Sequence, residues 1–176
     1  MILVINTSER GIELLLDDKH TKIEAEKQAI ALPNAVMNFL QENNVSMRDL
    51  TAIGVIVGPG SFTGIRMGIA YAKGIGIALN IPVVPVNVFE LYLHETPNAF
   101  VAIDSGRGDF FVASSVHTPG TMTIEEVETE QMKCPSTVGH KPYNFMCAKD
   151  IVETKIKNGN LEPVIPMYLR PSYAEK

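Results

Sequence analysis

A chain of 176 residues with 45% hydrophobic content and a formal net charge of -5 fits one ordinary domain or two small lobes, and needs no disulfide or metal to hold a core. Its 15 lysines and arginines are scattered among 20 acidic residues, which weighs against a protein that grips nucleic acid by itself through a basic patch. The most apolar stretch, Ile65 to Val88, is broken by Arg66, Lys73, Asn80, Pro82 and Pro85, so no membrane span is expected.

Ile2 to Ile5 reads as a buried strand with no basic leader ahead of it, and a cytoplasmic location is expected. Asn6 to Gly11 supplies turn chemistry, Ile12 to Leu16 closes a hairpin, and Asp17 to His20 is a polar turn before a third strand at Thr21 to Glu26. From Lys27 to Asn43 the apolar positions Ile30, Leu32, Val36, Met37, Phe39 and Leu40 predict a helix with one buried face. Pro33 within it marks either a first turn or a kink. Ser46 to Leu50 connects to a strand at Ile53 to Val57.

Gly58-Pro59-Gly60-Ser61-Phe62-Thr63-Gly64 then joins that strand to a helix running to Leu79. Such a turn leaves backbone N–H groups unpaired. It lacks the lysine and Ser/Thr ending of a phosphate-binding P-loop. A cap by Ser61 or Thr63 is therefore the favoured reading, with anion contact at Gly58, Gly60, Ser61 and Thr63 the lesser one. Gly64, Gly68, Ala72 and Gly76 recur every four residues, and a glycine stripe in a helix costs stability unless something lies close against it. The expected neighbour is a partner helix; the alternative is the protein's own sheet. Ala70, Gly74 and Ala78 form a second small stripe, so one side can face inward and the other a partner. Arg66 and Lys73 read either as solvated positions or as partner contacts.

Val83 to Val88 predicts another strand and Phe89 to His94 a short helix, with Pro97-Asn98 a boundary. Beyond it Ala102 to Gly108, then Phe110 to Val116, repeats the opening pattern of strand, polar turn and strand. Met122 to Glu128 and Tyr143 to Ala148 are expected as a third and fourth strand, and Asp150 to Lys157 as a helix stopped by Asn158-Gly159. Asp104 and Arg107 fit a hairpin turn better than a catalytic pair. Cys134 and Cys147 stand alone. His20, His94, His117 and His140 form no metal motif, so no metal and no cofactor are expected, and a metallopeptidase reading fails.

The run from Gly58 to Arg66, with Ala72-Lys73-Gly74, closely resembles the signature of the TsaB (YeaZ) family. Val4 to Ser8, Ile103 to Arg107 and Pro166 to Arg170 agree in order. The resemblance implies an α/β, actin- and Hsp70-like (ASKHA) fold of two related lobes, the second shortened: residues 1–97 with the glycine loop and dimerisation helices, and residues 98–176. It implies a non-catalytic subunit that binds and activates a TsaD-like enzyme making N6-threonylcarbamoyladenosine at position 37 of tRNA. A TsaE-like ATPase would join through the complex, tRNA would be met only indirectly, and a homodimer would form in the partner's absence. The interface residues so implied are Gly64, Arg66, Gly68, Ala72, Lys73, Gly76, Val36 and Leu40. Nucleotide contact would fall to Asn6 and Asp104 with the glycine loop, but Asn6 stands where the family usually has aspartate, and a neutral amide holds hydrated magnesium less well than a carboxylate. The alternative function is a stand-alone actin-like ATPase or phosphotransferase.

Overall fold

A computed structural model describes residues 1–134 and 136–170. The chain divides into two compact units, one of Met1–Asn87 with Phe145–Pro166, the other of Val88–Asn144 with the residues from Met167 on.

The first unit is built on a five-stranded sheet of β1 (Ile2–Asn6), β2 (Ile12–Leu16), β3 (Lys19–Ile23), β4 (Ala52–Ile56) and β5 (Val83–Val86), in the order β3-β2-β1-β4-β5. β1, β2 and β3 form an antiparallel meander, while β4 and β5 run parallel to β1. Every residue of β1, β2 and β4 is buried, which is why these strands read as continuous apolar runs rather than alternating ones. Both faces are covered. Helices α1 (Gln28–Glu42) and α2 (Phe62–Leu79) pack on one, α1 against β2 and α2 against β4 and β1. Helix α5 (Ala148–Lys157) packs on the other, its Val152 meeting Val4 where Gly54 of β4 leaves room.

The second unit carries α3 (Val88–Glu95), β6 (Phe100–Asp104), β7 (Asp109–Ala113), β8 (Gly120–Thr123), α4 (Ile124–Lys133) and β9 (Thr137–Val138), with strand order β8-β7-β6-β9. A meander, a helix and a strand parallel to the first strand recur here in the order seen in the first unit. Val127 of α4 packs with Phe100, Ala102 and Val112. Phe89 of α3 packs with Val101 and Ala113 on the opposite face.

Three expectations change. The division is not a single cut after residue 97. The chain passes to the second unit at Val88, and α5, expected in the carboxyl-terminal lobe, belongs to the first. Its buried Ala148, Ile151 and Val152 fill the sheet face that α1 and α2 leave bare. The strand expected at Met122 to Glu128 stops at Thr123, because Thr123 and Glu126 form a reciprocal capping box that starts α4. Residues 143–148 form no strand: Phe145–Cys147 is a single 3-10 turn leading into α5, and the fourth strand is β9. Smaller shifts are local. Asp17 at φ 49 tightens the β2–β3 turn, so β3 begins at Lys19. Pro33 lies in the second turn of α1, inside the helix.

Candidate functional site

The glycine loop between β4 and α2 is tied to the β1–β2 turn. Ser61 is the helix cap, its hydroxyl accepting the Gly64 N–H at 3.3 Å, while its own N–H donates to Ser8 O at 2.6 Å. Thr7 Oγ1 donates to Gly64 O at 2.8 Å. The favoured cap reading therefore holds, at Ser61, and Thr63 is exposed beside it. Gly58 is buried ahead of a cis peptide bond to Pro59, and Gly60 is exposed. Two of the donors that an anion would need, the N–H groups of Ser61 and Gly64, already have protein acceptors.

The small-residue stripe faces inward. A Cβ at Gly64 would collide with the Thr7 carbonyl, at Gly68 with the Thr7 hydroxyl, and at Gly76 with the Val83 side chain. Ala72, Val36 and Leu40 are likewise buried at 0–1% exposure. Six of the eight residues expected at a partner interface thus pack within the first unit, and only Arg66 and Lys73 are exposed. The physical reason is spacing: a stripe at every fourth position lets α2 approach β1 and β4 closely, the same geometry that would let a second helix approach.

What α2 turns outward is its other stripe. Ala70, Gly74 and Ala78 are exposed, Ile77 is 82% exposed, and beyond Gly74 there is open space. Helix α1 touches α2 and shows Ile30 at 70%, Pro33, and Met37 at 51% exposure. Ile30, Pro33 and Met37 are spaced i, i+3, i+7, one side of a helix. Sequence reasoning missed Ile30 and Met37 because it merged two apolar stripes of α1 into one buried face, and missed Ile77 because it followed only the small residues of α2. Arg66 stands over the Phe62 ring at 4.3 Å, near the start of α2.

Asn6 is 2% exposed. Its Oδ1 accepts from the Ser8 N–H at 2.9 Å and the Ser8 hydroxyl at 2.7 Å, and its Nδ2 donates to Glu13 Oε2 at 2.9 Å. Glu13 Oε1 lies 3.0 Å from His20 Nε2. These residues form a polar row across β1, β2 and β3, and both Asn6 side-chain ends are committed to it. Asp104, in the second unit, accepts the Gly106 N–H at 2.7 Å, a turn-closing contact of the expected kind. Among the described residues no three His, Cys, Asp or Glu side chains converge as a metal set.

Residues 22–168 match the family model described as TsaD: tRNA N6-adenosine threonylcarbamoyltransferase. The tRNA threonylcarbamoyladenosine biosynthesis protein TsaB of Bacillus subtilis is 36% identical over 96 residues, covering 51% of this chain and 42% of that protein. TsaB of Buchnera aphidicola is 33% identical over 86 residues, covering 46% and 39%. These matches span about two fifths of the length of the TsaB relatives. Among solved structures, YeaZ from Pseudomonas aeruginosa superposes with a TM-score of 0.71 at 18% identity, over 96% of this chain and 99% of that one. That likeness is one of fold, and with the mixed sheets it fits an actin-like architecture.

Proposed function

Since this chain belongs to the TsaD family, among its TsaB/YeaZ proteins, we propose that it is a non-catalytic subunit that binds and activates a TsaD-like enzyme in tRNA threonylcarbamoyladenosine formation. The observations that carry this reading are the exposed Ile77 of α2, the exposed Ile30 and Met37 of α1, which touches α2, and the open space beyond Gly74. Exposed apolar side chains grouped on one surface favour association over solvation. Arg66 and Lys73, exposed on one side of α2, would supply polar contacts at its edge. A homodimer through the same surface is the resting form. A TsaE-like ATPase joins through the complex, and tRNA is held by the partner, in keeping with a net charge of -5.

The test is co-purification with a TsaD-like enzyme from the same cell. Ile77→Glu places a charge on the outward side of α2 without touching the core. We expect it to abolish pairing while circular dichroism shows the chain still folded, with the midpoint lowered only by the loss of the dimer. Full-strength co-purification of Ile77→Glu together with Ile30→Asp would overturn the assignment of the surface. Gly68→Leu is unsuitable as a probe, because its side chain would strike Thr7 and disturb the fold. The alternative, a stand-alone ATPase or phosphotransferase, requires tight Mg-ATP binding with turnover by the isolated chain, which calorimetry and a phosphate-release assay read directly.

A further inference from the structure

From Asn160 to Arg170 the chain has neither helix nor strand. Its stretch from Met167 on lies against the second unit. Met167 and Leu169 pack on the cluster of Phe89, Val101 and Ala113, as do Ile103 and Phe111. Arg170 is ion-paired with Asp109, donates to Ser105 Oγ at 2.6 Å, and holds its guanidinium 5.3 Å from the centre of the Phe111 ring. Ser105 follows β6 and Asp109 begins β7, and the two are bonded to each other. One guanidinium therefore clamps both sides of the β6–β7 turn.

We infer that Met167–Arg170 is a detachable latch on the second unit, locked by Arg170. Its contacts are of a marginal kind. Met167 and Leu169 remain partly exposed, and the Arg170 and Asp109 side chains keep 24% and 29% of their exposure. Half-buried side chains and a partly exposed ion pair barely offset the freedom lost in ordering four residues. Phe89 and Val127, each 2% exposed, are held by the core itself and do not share this balance. Closed, the latch lies on the cluster of Phe89, Val101 and Ala113, with Arg170 by the Phe111 ring. Open, it bares two apolar seats two residues apart and a carboxylate–hydroxyl corner beside an aromatic ring. That is the chemistry that receives an extended segment bearing arginine, and the chain's own segment is its resident occupant.

The full chain labelled with 13C at its methionine methyls tests this, with Met167 reporting the latch and Met122, packed on the Phe100 cluster, reporting the core of the unit. Arg170→Ala should move the Met167 signal most of the way to its position in the urea-unfolded chain, with Met122 and the thermal midpoint unmoved. Arg170→Lys should move it less, since it keeps the charge and loses the fork. Added salt should shift the wild-type signal in the same direction. An unmoved Met167 signal in Arg170→Ala refutes the lock. A Met122 signal that moves with it, together with a lowered midpoint, refutes detachability, because the segment is then part of the core. None of these readouts involves a partner enzyme.

Discussion

Asn6 and Glu13 face each other across β1 and β2, with Asn6 Nδ2 donating to Glu13 Oε2 at 2.9 Å while Ser8 donates twice to the other end of the amide. Both residues are buried, at 2% and 9% exposure. Because two Ser8 donors fix Oδ1, the amide nitrogen must point at the carboxylate, and only an amide satisfies both sides at once. The asparagine at position 6 is thereby explained as a partner for Glu13.

Asn6→Asp should accordingly destabilise the fold by about 2–4 kcal/mol, since it removes a donor from a buried carboxylate and sets a second carboxylate beside it. Urea unfolding at neutral pH measures the loss. Adding Glu13→Gln to Asn6→Asp should restore most of it, because a donor again faces an acceptor. A single Asn6→Asp variant as stable as the wild type would show that the row does not hold the strands together.

The two faces of α2 predict opposite outcomes for one kind of substitution. Gly74→Ala meets nothing and should stabilise the isolated chain by about 0.5–1 kcal/mol through helix propensity. Gly68→Ala drives a methyl into the Thr7 hydroxyl and should cost about 1–3 kcal/mol as overpacking. Thermal unfolding of the two variants side by side gives the sign of each. Equal stabilisation by both would mean that α2 does not lie close on β1.

The proposed self-association would use the same exposed surface. Sedimentation of the isolated chain should show a dimer that Ile77→Glu converts to a monomer at the same loading concentration. Lys133→Glu, on α4 of the second unit, should leave the dimer intact. Dissociation by the α4 variant alone would move the contact away from α1 and α2.

Much of this fold was legible in the sequence where local chemistry and burial agree. β1, β2 and β4 are continuous apolar runs bounded by turn residues, and Ser61 sits where a cap is wanted. Failures have identifiable causes. Thr123 to Glu126 carries a capping box that is visible in the sequence, yet the apolar residues around it also suit a strand. The placement of α5 rests on a contact between Val152 and Gly54, nearly a hundred positions apart, which no local pattern encodes. The stripe at Gly64, Gly68, Ala72 and Gly76 correctly signalled a close approach but not of what, since a sheet and a helix make the same demand on it. At the site the sequence therefore supplied the helices and not their orientation, and the exposed residues Ile30, Met37 and Ile77 emerged only from three-dimensional packing.

Glu130 gives the second unit an acid-sensitive tie. Lys133 Nζ lies 2.7 Å from its Oε1 and His117 Nε2 3.1 Å from its Oε2. The Lys133 hydrogen bond, then that of His117, holds its carboxyl below the ordinary 4.5. A carboxyl depressed in the folded state contributes its stability in full above the unfolded value and loses it as pH falls through the folded one. Glu130→Gln removes this contribution. Its thermal midpoint should lie slightly below the wild type near neutrality, the two curves converging as the pH falls through the ordinary 4.5 and below. The neutral-pH gap should shrink in salt, as expected for a pair on the surface. A gap that stays constant down to the acid end would assign the loss to packing of α4 rather than to the charge on Glu130.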